Sequence, residues 1–158
     1  MDGIQQLTTF SSTVSSLVHE TQKERGATAG FLGKPDGVFA KRLQQQRELT
    51  DQKLADFNTM LVEFDPSEFG NEFAEQVRAA NHEISQLEDY RRKISDNDLP
   101  AGKAIGFYTN LNGLLLDAIG KTSLATNDGS VCVRINACLL YTSPSPRDLS
   151  TSRMPSSA

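Results

Sequence analysis

The 158-residue sequence has no tryptophan, only two cysteines, and no apolar stretch of the roughly 18 residues that a membrane-crossing helix needs. The last of these absences excludes a transmembrane span. The first 30 residues also lack the apolar core of a secretory signal. Cys132 and Cys138 lie six residues apart near the C-terminus and read as free thiols, since two sulfurs make neither a disulfide framework nor a zinc-finger pattern. Histidine is equally scarce. His19 opens the run His19-Glu20-Thr21-Gln22-Lys23, but Lys23 stands where a zinc-protease motif places its second imidazole, so no pair of histidines converges on a metal. His82 falls on an outward-looking helix face. Gly120-Lys121-Thr122 lacks the upstream glycine and the strand of a phosphate-binding loop, and no serine has a matching His and Asp. The sequence therefore points to no metal, no cofactor and no enzyme. A formal net charge of −4 gives no electrostatic reason to expect direct nucleic-acid binding.

No segment alternates apolar and polar residues with the period of a strand. Four long amphipathic stretches follow one another instead. The first is predicted over about residues 2–32, capped by Asp2, with an inward stripe of Leu7, Phe10, Val14, Val18, Thr21, Arg25, Ala29 and Leu32. Lys34-Pro35-Asp36-Gly37 is a turn. The second helix, about 38–64, carries Phe39, Leu43, Arg47, Thr50, Leu54, Phe57, Leu61 and Phe64. Asp65-Pro66 ends it, and Ser67 is the expected N-cap of a third helix over about 68–94, with Phe73, Val77, Ala80, Ile84, Leu87, Arg91 and Ile94 inward. A fourth helix over about 103–124 presents Phe107, Leu111, Leu114, Leu115 and Ala118, and a fifth begins at Ser130. Short connections between long helices favour antiparallel neighbours, so the expected fold is all-α: an up-down bundle of four helices plus the start of a fifth.

Composition changes near Cys138. Residues 138–158 contain six serines and three prolines and no periodicity. The run Cys138-Leu139-Leu140-Tyr141-Thr142-Ser143-Pro144-Ser145-Pro146-Arg147-Asp148 resembles a translated transposon-based sequencing adapter. Ser152-Arg153-Met154-Pro155-Ser156-Ser157-Ala158 resembles the primer region beyond a sample index, with Leu149-Ser150-Thr151 as the index. The alternative is a genuine Ser/Pro linker. On the first reading the authentic domain is residues 1–137, with a net charge of −5.

The stripes fail at three places. Arg25, Arg47 and Arg91 each occupy a position where an apolar residue belongs, with Thr21 and Thr28 near the first and Thr50 near the second. A single such arginine means little, because its stem lets the charge reach water. Internal acids are the other explanation, since Glu24, Asp51 and Glu88 each lie beside one of the three. Three arginines together suit a shared small planar oxyanion, whose in-plane oxygens match the paired guanidinium donors. Without that anion, clustered arginines lacking negative neighbours would repel and loosen the bundle at their level. Gly26, Gly30 and Gly33 read either as close backbone approach or as fraying toward Pro35.

The segment Leu17-Val18-His19-Glu20-Thr21-Gln22-Lys23-Glu24-Arg25-Gly26-Ala27-Thr28-Ala29-Gly30-Phe31-Leu32-Gly33 resembles the opening motif of nitrate- and nitrite-sensing (NIT) domains. Gln46-Arg47-Glu48-Leu49-Thr50-Asp51 resembles the second motif, with weaker echoes in Tyr90-Arg91-Arg92, Tyr108-Thr109 and Arg134-Ile135-Asn136-Ala137. The resemblance covers about Ile4 to Ala137, roughly the first half of such a domain, and a later Lys-Glu-Arg-rich motif of the family is missing. It implies an all-helical sensor of nitrate or nitrite, coupled to a downstream output domain in a receptor, with Arg25 and Arg47 the first choice as anion contacts and Thr21, Thr28, Thr50 and Arg91 around them. The family occurs in transcription antiterminators, chemoreceptors, histidine kinases and cyclase-type receptors. That favours an extracytoplasmic domain of a membrane receptor, with a cytoplasmic setting as the alternative and homodimerisation left open. The competing reading is a helical scaffold whose arginines pair internally and bind no small molecule.

Overall fold

The computed structural model describes residues 3–126. Asp2, the helix expected from Ser130, both cysteines and the Ser/Pro-rich tail lie outside them. Helix α1 spans Gly3–Gly33, α2 Gly37–Glu63, α3 Asn71–Ile84, α4 Leu87–Ser95 and α5 Ala101–Thr126, with a 3-10 turn at Pro66–Phe69. The protein is an all-α helical bundle. Helix α1 packs along both α2 and α5, and α3 along α5. The backbones of α2 and α4 scarcely approach each other, and long side chains bridge that seam.

Helix α1 explains the layout. Leu7, Phe10, Val14, Leu17, Thr21, Glu24 and Thr28 are its deeply buried residues at alternating spacings of three and four, a heptad seam of the kind that holds neighbouring helices at a shallow angle. The seam is apolar as far as Leu17 and polar from Thr21 onward. On α2 the buried residues are Leu43, Thr50, Phe57 and Met60, and the series Leu43, Thr50, Phe57 continues at the same spacing of seven to the buried Phe64 just past the helix end; its polar member, Thr50, meets α1 at Glu20. At the apolar end Phe10, Phe64, Phe69 and Phe73 form an aromatic cluster. Phe10 lies edge-on to Phe73 at 5.0 Å, and Phe64 stacks on Phe10 at 5.7 Å and on Phe69 at 5.2 Å between ring centroids.

Helix ends follow local chemistry. Asp36 caps α2, its carboxylate accepting from the Phe39 N–H at 3.0 Å. Gly37 is the first helical residue, so the turn works through capping and not through a reversal at glycine. The single long helix expected over 68–94 is three pieces. Asp65, not Ser67, is the capping residue. Its carboxylate accepts from the Ser67 N–H at 3.0 Å and hydroxyl at 2.7 Å, which winds a 3-10 turn and brings Phe69 inward. Gly70, at φ +106, then redirects the chain, a conformation that side chains rarely adopt. The second break falls at Ser85–Gln86. The Ser85 hydroxyl donates to the His82 carbonyl at 2.5 Å, and the Gln86 N–H reaches back only to Glu83, so the helix tightens locally. The inward spacing from Phe73 to Ile94 survives both sides of this break. Helix α4 ends in a Schellman motif, with Asn97 at φ 54, Asn97 N–H on the Ile94 carbonyl at 3.0 Å and Asp98 N–H on the Lys93 carbonyl at 2.8 Å.

Of Gly26, Gly30 and Gly33, Gly30 shows the close approach: a Cβ there would lie 3.1 Å from the Phe39 ring. Gly26 and Gly33 face open space, and α1 runs unfrayed to Gly33.

Candidate functional site

The polar half of the α1 seam places Glu24 in the core with no exposed surface. An isolated buried carboxylate is costly, so its partners decide whether the fold tolerates it. Arg91, 4% exposed, reaches it from α4 with both forks: Nε donates to Oε2 at 2.9 Å and Nη2 to Oε1 at 2.7 Å. This two-point geometry is the strongest that guanidinium and carboxylate offer. From α5 the Tyr108 hydroxyl also donates to Glu24 Oε2. Burial, together with the Glu24 charge, raises the Tyr108 phenol above its ordinary pKa and keeps it a donor. Burial alone would lower the Arg91 pKa, but Glu24 outweighs it and the net shift is upward.

The outer edge of Arg91 has two further partners. Nη1 donates to Asp51 Oδ1 at 2.6 Å and to Glu88 Oε1 at 2.8 Å. These differ in kind from Glu24, because the Asp51 and Glu88 side chains are 55% and 82% exposed. The expectation of arginines without negative neighbours therefore fails at Arg91: three carboxylates converge on it, which is the internal pairing weighed as the alternative.

Arg47 lies beside Arg91 across the α2–α4 seam. Its Nη1 donates to the Ser95 hydroxyl at 2.8 Å and its Nη2 to the Arg91 carbonyl at 3.2 Å. Among the described residues its buried Nε has no acceptor and no carboxylate is bonded to the guanidinium. Desolvation lowers its pKa in spite of the nearby Tyr108 and Glu24. Arg47, Arg91, Arg92, Asp51, Glu88 and Ser95 line an open polar cavity of about 230 Å³.

Arg25 sits elsewhere. It is half-buried, faces α5 rather than the core, and donates from Nη1 to the Thr109 hydroxyl at 3.2 Å. It does not line the cavity of Arg47 and Arg91. The three threonines are fully buried. Thr21 donates to the Val18 carbonyl at 3.0 Å and bonds Asn112 on α5. Thr28 lies next to the Tyr108 hydroxyl. Thr50 donates to the Gln46 carbonyl at 3.1 Å, while Gln46 Nε2 reaches the Glu20 carboxylate at 2.9 Å. The structure thus brings Arg47 and Arg91 together, with Thr21, Thr28 and Thr50 in the surrounding polar layer, and leaves Arg25 apart on the α1–α5 side. Glu24 stands off the predicted stripe and enters the sequence reading only as an acid beside an arginine, Tyr108 enters it only in a weak family echo, and Ser95 not at all. Extending the three-four spacing from Leu7 through Leu17 lands on Glu24, which was the available signal.

A family model described as nitrate and nitrite sensing matches residues 16–139, more than three-quarters of the chain. The chain belongs to the NIT family. No curated protein and no solved structure matches it. The NIT match begins where the α1 seam is about to turn polar and includes every residue of the Glu24–Arg91–Arg47 network. NIT domains are sensor domains and not a catalytic family. Among the described residues no helix is long and apolar enough to cross a membrane, and no group of acidic, histidine or cysteine side chains could hold a metal ion.

Proposed function

We propose that this NIT domain senses nitrate or nitrite by binding the anion in the α2–α4 cavity, between Arg47 and the outer edge of Arg91, with the Ser95 hydroxyl beside them. The observation that carries this reading is the Arg47 guanidinium: desolvated and, among the described residues, bonded to no carboxylate and with a buried Nε that has no acceptor. An unmet buried N–H costs about 1–3 kcal/mol, which an arriving oxyanion can recover once the guanidinium turns its Nε–Nη edge toward it. Nitrate and nitrite are planar and present oxygens at the spacing of that edge. Arg25 adds positive charge from the opposite side of α1, and Thr21, Thr28 and Thr50 hold the surrounding layer.

The transducing step follows from the packing. Because α2 and α4 meet through side chains and not through backbone, an anion held by Arg47 on α2 and Arg91 on α4 draws the two helices together. In a longer receptor that displacement passes to an output domain. Residues 138–158 take no part in this reading, in keeping with a family match that ends at residue 139. The resemblance favours a membrane receptor with the domain outside the cytoplasm as the setting.

The test is thermal unfolding of the full chain in sodium nitrate, nitrite or chloride at matched ionic strength. At a hundredfold excess over Kd, binding stabilises the folded state by about 2.7 kcal/mol. Nitrate or nitrite stabilisation that disappears in Arg47→Ala supports the site, and equal effects of all three salts contradict it. The internal pairing of Arg91 favours a second reading, a helical scaffold without ligand. Its signature is that no salt stabilises specifically and Arg47→Ala changes nothing that depends on an anion.

A further inference from the structure

The geometry points to Asp51 and Glu88 as built-in competitors of the sensed anion, holding its place on Arg91 until its concentration is high enough to displace them. This rests on the placement of the anion between Arg47 and Arg91.

The three carboxylates on Arg91 are not equivalent. Glu24 takes Nε and Nη2 from within the core, and no water competes for it. Asp51 and Glu88 both take Nη1, at 2.6 and 2.8 Å, and both line the cavity shared with Arg47. Their side chains are 55% and 82% exposed, so either carboxylate can swing into water and be solvated there, which leaves their pairing with Arg91 weaker than that of the buried Glu24. A carboxylate is itself a planar two-oxygen acceptor, the nearest side-chain mimic of nitrite. Nη1 carries two N–H bonds and each of the two carboxylates takes one, so an anion gains a donor there only by displacing one of them.

The two are also placed to report displacement. Asp51 is on α2, four residues after Arg47, and Glu88 is on α4, three residues before Arg91. While Asp51 holds Arg91 it is a cross-seam tether. Its release lets the anion replace a side-chain bridge with a tighter one. A site with empty arginines would take any anion. One in which tethered carboxylates must first be expelled favours ligands that offer two coplanar oxygens over a single-point ion such as chloride.

The experiment is calorimetric titration of the full chain with sodium nitrate, sodium nitrite and sodium chloride, comparing wild type with Asp51→Asn, Glu88→Gln and the double variant. Circular dichroism confirms the fold of each. Neutralising one exposed competitor is expected to tighten nitrate or nitrite binding about two- to fivefold, and both together about tenfold or more. The preference over chloride should narrow. Binding that appears only in the double variant supports the inference as well. Unchanged or weaker affinity in folded variants overturns it, because the carboxylates then orient the arginine and do not compete. If the double variant does not fold, the single variants decide. Wild type that binds nitrate with no change in either single variant refutes the competition alone. No binding by wild type or any variant refutes the anion site together with it.

Discussion

Replacing Arg91 by methionine keeps most of the side-chain volume and removes the charge. It leaves Glu24 with no exposed surface and, among the described residues, with the Tyr108 hydroxyl alone where three hydrogen bonds had held it. Breaking a buried pair from one side costs about 3–5 kcal/mol, against a total stability of about 5–15 kcal/mol for a typical domain. Losing Asp51 and Glu88 as partners adds little, since both are exposed. Urea unfolding followed by circular dichroism reads the effect as a lower midpoint. With a slope of about 1–3 kcal/mol per molar, the midpoint should fall by about 1–5 M or the chain should be unfolded from the outset. The double variant Glu24→Gln, Arg91→Met removes the stranded charge and keeps an acceptor for Tyr108, so it should recover most of the loss. A single variant that costs under about 1 kcal/mol, or a double that costs the sum of its parts, refutes the idea that this pair is desolvated and coupled.

Other consequences are measurable by the same unfolding assay. Gly26→Ala should stabilise by up to about 1 kcal/mol, because α1 is helical there and the site is open, while Gly30→Ala should gain less since Phe39 must shift. Phe73→Ala should cost about 3–5 kcal/mol through the aromatic cluster, with no effect on anion affinity beyond that of stability. Burial disfavours the charge on Glu20, but the Gln46 hydrogen bond and Lys23 outweigh it and set its folded pKa below the usual 4.5. The unfolded chain then binds the proton more readily, so this stabilisation is full above pH 4.5 and is lost as pH falls below it. Glu20→Gln should flatten that part of the acid limb.

The all-α fold was legible because its seams repeat cleanly. Phe73, Val77, Ala80, Leu87, Arg91 and Ile94 fell on their predicted face in spite of two interruptions. The interruptions escaped notice for physical reasons. Gly70 adopts a positive φ where the 3-10 turn ends, which apolar periodicity does not signal, and the tightening at Ser85 depends on a side chain competing for a carbonyl. On α1 the stripe was followed with the drift of a free helix, from Val14 to Val18 and so to Arg25. The packed helix keeps the tighter coiled repeat, which passes through Leu17 to Glu24. One residue of phase exchanged an arginine for a glutamate in the core and hid the central ion pair. Arg47 and Arg91 stood out from the sequence as charged residues on apolar faces. Which of the two had an internal partner depended on a contact 67 residues apart, which spacing alone does not reveal.

The most direct test of anion sensing at this seam is nuclear magnetic resonance of the arginine side-chain N–H groups during a nitrate titration of the full chain. The Arg47 Nε–H signal is expected to move saturably with nitrate or nitrite and far less with chloride at equal ionic strength, while the Arg91 Nε–H held by Glu24 shifts little. An Arg47 signal that ignores nitrate, or that answers chloride equally, contradicts anion sensing here.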